Sequence, residues 1–78
     1  MTLRDMMESG IVFEGQIKVQ SWEDETHPTV YYEGQESGEV TELDDEILCR
    51  EVKYMFPYMF SLERVDVAGL CIEVEEGV

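Results

Sequence analysis

Residues 11–22, "IVFEGQIKVQSW", alternate: Ile11, Phe13, Gly15, Ile17 and Val19 fall on one side, and Glu14, Gln16, Lys18 and Gln20 on the other. That two-residue period predicts a half-buried strand. Gly15 inside it marks a bulge or bend, because glycine gives up packing for backbone freedom. Upstream, Thr2 and Asp5 have the spacing of a capping box around Leu3, Met6 and Met7, with Gly10 as a left-handed stop. Downstream, "EDETHP" is polar and ends in proline, so it reads as the turn of a hairpin. Its second strand is "TVYYE", with Val30 and Tyr32 on one face and Tyr31 opposite.

Two glycines in "GQESG" interrupt the pattern. Leu43, Ile47 and Leu48 then recur at helical spacing, which predicts a second short helix from Glu42 to Cys49, with Thr41 or Asp44 as its N-cap. "REVKYMF" returns to alternation as a third strand ended by Pro57, and Tyr54, Phe56 and Phe60 read as core residues. Residues 57–69 leave three options open: a longer aromatic strand, a loop, or a hairpin turning near Asp66 to Gly69. In "LCIEVEE", Leu70, Ile72 and Val74 point inward while Cys71, Glu73 and Glu75 take the wet face. The expected fold is a single α+β domain over residues 1–78, a mainly antiparallel sheet of about four strands with two short helices in the order αββαββ.

Charge changes the picture more than size does. Nineteen acids against five Lys and Arg give a net charge of -14, while a hydrophobic fraction of 44% argues for a folded chain. No Lys or Arg lies between Lys18 and Arg50, a stretch that holds Glu23, Asp24, Glu25, Glu33, Glu36, Glu39, Glu42, Asp44, Asp45 and Glu46. Direct nucleic-acid binding is disfavoured, since that affinity comes from cations displacing counterions. Anionic membranes are disfavoured likewise. "MTLRDMMESG" lacks an apolar run of signal-peptide length, and no stretch approaches the ~20 apolar residues of a membrane span, so the expected location is the cytoplasm.

Catalysis finds little material. His27 is the only histidine, in an expected turn before Pro28, so a serine or cysteine nucleophile lacks a placed base. Cys49 and Cys71 show no metal-ligand spacing and read as reduced thiols. "WEDET" and "ELDDE" could attract calcium, but neither has the alternating ligands and the glycine of an EF-hand loop. No enzyme activity, cofactor or metal is therefore expected.

The acids of "ELDDE" serve the fold in part, because carboxylates in a first helical turn complement the helix dipole by about 0.3–1 kcal/mol each. The surplus suggests mimicry of a nucleic acid. Alternate side chains on a strand stand ~6.6 Å apart, and duplex DNA presents a phosphate every ~3.4 Å along a strand, so two neighbouring acidic elements approximate that density. The plainer alternative is that the acidity only keeps the protein soluble. Trp22, beside the acidic turn, and Tyr58, with Met55 and Met59, are candidate apolar anchors at an interface.

The segments "MTLRDMMESGIVFEGQIKVQSW", "LDDEILCREVKYMF" and "GLCIEVEE" resemble small acidic proteins encoded by phages and mobile elements of Gram-positive bacteria. Some members of that group are anti-CRISPR proteins, and several of those block a nucleic-acid site on a Cas protein with an acidic surface. The resemblance implies such a function here and carries no defined functional residues. The leading expectation is a non-enzymatic inhibitor of a basic nucleic-acid-handling protein, such as a Cas subunit. Its contacts would come from the ten acids above together with Trp22 and Tyr58, and the chain itself would be a monomer or homodimer. The alternatives are a small phage structural or regulatory protein, or a carboxylate cation-binding module.

Overall fold

The computed structural model describes residues 1–9 and 15–76. Thr2 caps α1 (Leu3–Met7) as expected: its hydroxyl accepts from Asp5 N–H, and the Asp5 carboxylate accepts from Thr2 N–H, both at 3.1 Å. The Gly10 stop and the assignments of Ile11, Phe13 and Glu14 lie outside the described residues. Gly15, with φ of 103°, supplies a left-handed bend immediately before β1 (Gln16–Ser21). β2 (Thr29–Gly34) returns antiparallel to β1 and leads to two one-turn helices, α2 (Ser37–Val40) and α3 (Asp45–Leu48). β3 (Val52–Leu62) and β4 (Val65–Val74) form the second hairpin.

The α+β class holds, but the arrangement within it differs from the expectation. Three short helices are present among the described residues, in the order αββααββ. The sheet is mixed, with strand order β2-β1-β4-β3 and a parallel central pair of β1 and β4. Local periodicity reports which residues share a face and says nothing of which strand lies beside which. Thr41 closes α2 by donating its hydroxyl to the Gly38 carbonyl at 2.6 Å, so it does not begin the next helix. Asp44 occupies the N-cap of α3, with no side-chain capping bond.

One face of the sheet is covered by the helices. Ile17, Val19, Ile72 and Val74 meet Leu3 and Met6 of α1, Val40 of α2 and Leu48 of α3 in a single core. Main-chain bonds then tie the amino terminus to the start of β3: Leu3 N–H donates to Arg50 O and Val52 N–H to Met1 O. A register shift between Val19 and Gln20 pairs Val19 with Tyr32 but Gln20 with Val30. Val30 and Tyr32 therefore lie on opposite faces, because the bulge inserts Tyr31 between them and breaks the two-residue count.

β3 does not stop at Pro57. It is an edge strand, where a proline is tolerated because only one side of the strand must be hydrogen-bonded. The chain reverses at Glu63 and Arg64, with φ of 48° and 70°, the two left-handed residues of a type I′ hairpin turn. The turn thus falls before Asp66, and residues 57–69 belong almost wholly to strands.

Candidate functional site

The cation-free stretch is shaped by two side chains that organise its carboxylates, Arg50 and Tyr32. Arg50 follows α3, and its guanidinium reaches Glu46 one turn back at 3.1 Å, Glu23 in the β1–β2 loop at 3.0 Å, and the Tyr31 hydroxyl. It also lies over the Tyr31 ring, 5.1 Å from its centroid. Burial works against its charge, but the bonds to Tyr31, Glu46 and Glu23 outweigh that and hold its pKa above the usual arginine value. The anionic loop is therefore pinned to the anionic helix through one cation. In the same loop, Asp24 accepts from Thr26 N–H at 2.9 Å and Thr26 Oγ1 at 2.8 Å. Those two bonds lower its carboxyl pKa and fix the turn as an Asx motif.

Tyr32 organises the second acidic group. Its hydroxyl accepts from Glu36 N–H at 3.0 Å and lies 3.1 Å from the Glu36 carbonyl and 3.4 Å from the Glu39 carboxylate. The Glu36 main chain and the Glu39 carboxylate are thereby held against β2 on the helix-bearing side. Among the described residues, no cation pairs with Asp24, Glu25, Glu33, Glu36, Glu39, Glu42 or Asp44. Asp45 differs, since it pairs with Arg4 of α1.

The expected site residues do not all share one face. Glu23, Glu36, Glu39, Glu42, Asp44, Asp45 and Glu46 belong to the helix-bearing side and the loop pinned to it, whereas Glu33 sits opposite Lys18 on the other face. Tyr58 and Trp22 also belong to that other face: the Trp22 indole donates to Glu73 at 3.1 Å, and the Lys18 ammonium lies 4.9 Å from the Tyr58 ring centroid. Trp22 nevertheless borders the acids as well. Together with Glu23, Asp24, Glu25 and Glu76 it lines an open groove of about 300 Å³ at the end of the sheet.

Sequence reasoning missed Arg50, Tyr31 and Tyr32. A lone arginine at the end of an acidic run was the available signal, but its partners are set by the return of the chain. Tyr54, taken as core, is 60% exposed. That exposure arises because β3 lies at the edge with its aromatic side turned away from the helices; Phe56 is half-buried, and Phe60 is buried only by folding over Gly69. Both cysteines are free, Cys49 exposed and Cys71 buried.

Among the described residues, no group of three or more His, Cys, Asp or Glu is arranged to hold a metal ion. Nor is any described helix long and apolar enough to cross a membrane. No protein-family model, curated protein or solved structure matches the chain.

Proposed function

We propose that the protein is a non-enzymatic inhibitor that occupies the nucleic-acid site of a basic protein. The contact surface runs from the Glu23–Glu25 loop across Arg50 to α3 and back over α2. One observation carries the proposal: Arg50 fixes Glu23 and Glu46, Thr26 fixes Asp24 and the Tyr32 hydroxyl lies against Glu39, and beside these held carboxylates Glu25, Glu36, Glu42 and Asp44 stand exposed with no ion pair among the described residues. Unorganised solubilising charge needs no such fixation.

A cationic groove shaped for phosphates would draw in this surface by electrostatic steering. In its sharpest form, suggested by the resemblance of the sequence, the partner is a Cas protein and the inhibitor an anti-CRISPR protein. Glu33 and Tyr58 lie outside this surface. Trp22 at the rim of the acidic groove is its aromatic anchor.

The test uses acids that the fold does not need. Glu25, Glu42 and Asp44 are exposed and have no ion pair among the described residues, so E25K/E42K/D44K leaves the fold intact. The immobilised chain captures its partner from a bacterial lysate, and labelled duplex DNA is then titrated against the purified pair. DNA and the inhibitor should exclude one another. The triple reversal should weaken binding by roughly 100-fold or more, at on the order of 1 kcal/mol per charge. Simultaneous binding of DNA and inhibitor, or an affinity unchanged by salt and by the reversal, counts against the proposal.

A further inference from the structure

The sheet face opposite the helices is built from a continuous aromatic stripe. Register places Tyr54, Phe56, Tyr58 and Phe60 of β3 on the same side as Glu73, Cys71, Gly69 and Val67 of β4. Leu62 and Val65 continue the stripe to the hairpin turn. Tyr58 and Phe60 pack edge to face with ring centroids 4.9 Å apart. Phe60 folds over Gly69 and is only 4% exposed, yet Tyr54 and Val65 are each 60% exposed, Trp22 41% and Tyr58 39%. Among the described residues no helix covers this face.

Its charge is unlike that of the rest of the molecule. Arg4 and Arg50 are engaged with acids on the helix-bearing side. The lysines instead lie against the aromatic stripe, Lys18 on Tyr58 and Lys53 on Tyr54, the latter 5.9 Å from the ring centroid. Within the paired strands this face carries Glu33 and Glu73 as its only acids, so cations and carboxylates balance. On a chain of net charge -14, it is the surface where two copies approach with the least repulsion. A nucleic acid strand could stack on the same rings, but its phosphates would be repelled by the remaining charge.

We infer that this face is a self-association surface, on which a second copy of the chain packs sheet to sheet through Tyr54, Phe56, Tyr58, Val65 and Trp22. Balanced charge and a stripe running the length of the hairpin suit a two-fold axis, where the same patch meets itself. The area suffices. Strand rise and spacing give roughly 500 Å² of sheet per copy, hence on the order of 1,000 Å² buried in all, the lower bound of a specific interface. The pairing leaves both anionic sides facing outward and shares with the proposed partner surface only Trp22, at its rim.

The experiment is light scattering with size-exclusion chromatography on the full chain from roughly 1 to 100 µM, a range bracketing a micromolar Kd. Mass should rise from 9.1 kDa to twice that value, and the emission of Trp22, the single tryptophan, should shift to the blue with concentration. Tyr58→Glu should remain monomeric throughout. Should Tyr58→Glu fail to fold by circular dichroism, Val65→Glu and Tyr54→Glu test the same face from exposed positions. Added salt should tighten the dimer by screening self-repulsion, the reverse of its effect on a basic partner. A wild-type mass of 9.1 kDa at every concentration, an open series of larger species, or a dimer untouched by folded face variants overturns the inference.

Discussion

Replacing Arg50 by methionine keeps an apolar stem of similar length and removes the guanidinium fork that joins loop, helix and ring. The Arg50 side chain is 11% exposed, but Glu23 is 38% and Glu46 76% exposed, so the two pairs count differently. The Glu46 pair, exposed and one helical turn away, contributes about 0.3–0.5 kcal/mol. The bonds to Glu23 and the Tyr31 hydroxyl, half screened by solvent, contribute about 1–2 kcal/mol together. The Tyr31 ring adds about 0.5–1 kcal/mol. Arg50 Nε is buried with no partner among the described residues, and methionine relieves that cost. The net loss should therefore be about 2–3 kcal/mol, below the ~3–5 kcal/mol of breaking a fully buried pair. For a chain of this size that corresponds to a fall in Tm of roughly 10–20 °C. Urea unfolding followed by Trp22 fluorescence at pH 7 measures it. A loss under about 0.5 kcal/mol, the ordinary scatter of surface substitutions, would refute the idea that Arg50 pins the loop. Partner binding separates positioning from bulk charge, because the variant is more negative than the wild type. If the pinned geometry matters, affinity falls despite the added negative charge.

Four further outcomes are expected. Gly69→Ala should destabilise by about 1–3 kcal/mol in thermal melts, since a Cβ there would come within 2.6 Å of both the Gln16 carbonyl oxygen and the Phe60 ring where β1 meets β4. Replacing Glu63 by Asn and Arg64 by Gly should stabilise by about 1 kcal/mol in urea titrations, because both positions hold left-handed backbone that their present side chains disfavour. Thr2→Ala should cost about 1 kcal/mol at neutral pH through the lost cap. The Thr2 main-chain N–H, which the variant keeps, is the larger cause of the lowered Asp5 pKa, so the carboxylate half of the box is complete above 3.8 and is lost in wild type and variant alike as pH falls through the folded-state pKa; the difference between them, carried by a bond to a backbone N–H, should persist in acid. Burial, reinforced by Glu73 and eased by Lys18, pushes the Cys71 thiol up to about 11, so native protein should titrate one reactive thiol with Ellman's reagent, Cys49, and unfolded protein two.

Features that depend on neighbours a few residues away are encoded locally. The Thr2–Asp5 capping box is a reciprocal pair of bonds within one turn, and it formed as read. The burial of Ile17, Val19, Ile72 and Val74 follows from strand alternation and the apolar drive, as does the contrast between an anionic middle and the strands that flank it. Tertiary structure decided the rest. A bulge at Val19 and Gln20 put Val30 and Tyr32 on opposite faces, and the edge position of β3 carried the strand through Pro57. Placement of the last strand beside the first made the central pair parallel. That placement also laid the β3 aromatics over Cys71, which alternation alone had put in water. Arg50 reaches back to Glu23 across 27 positions. Such contacts are fixed by how the core closes, and no local period encodes them.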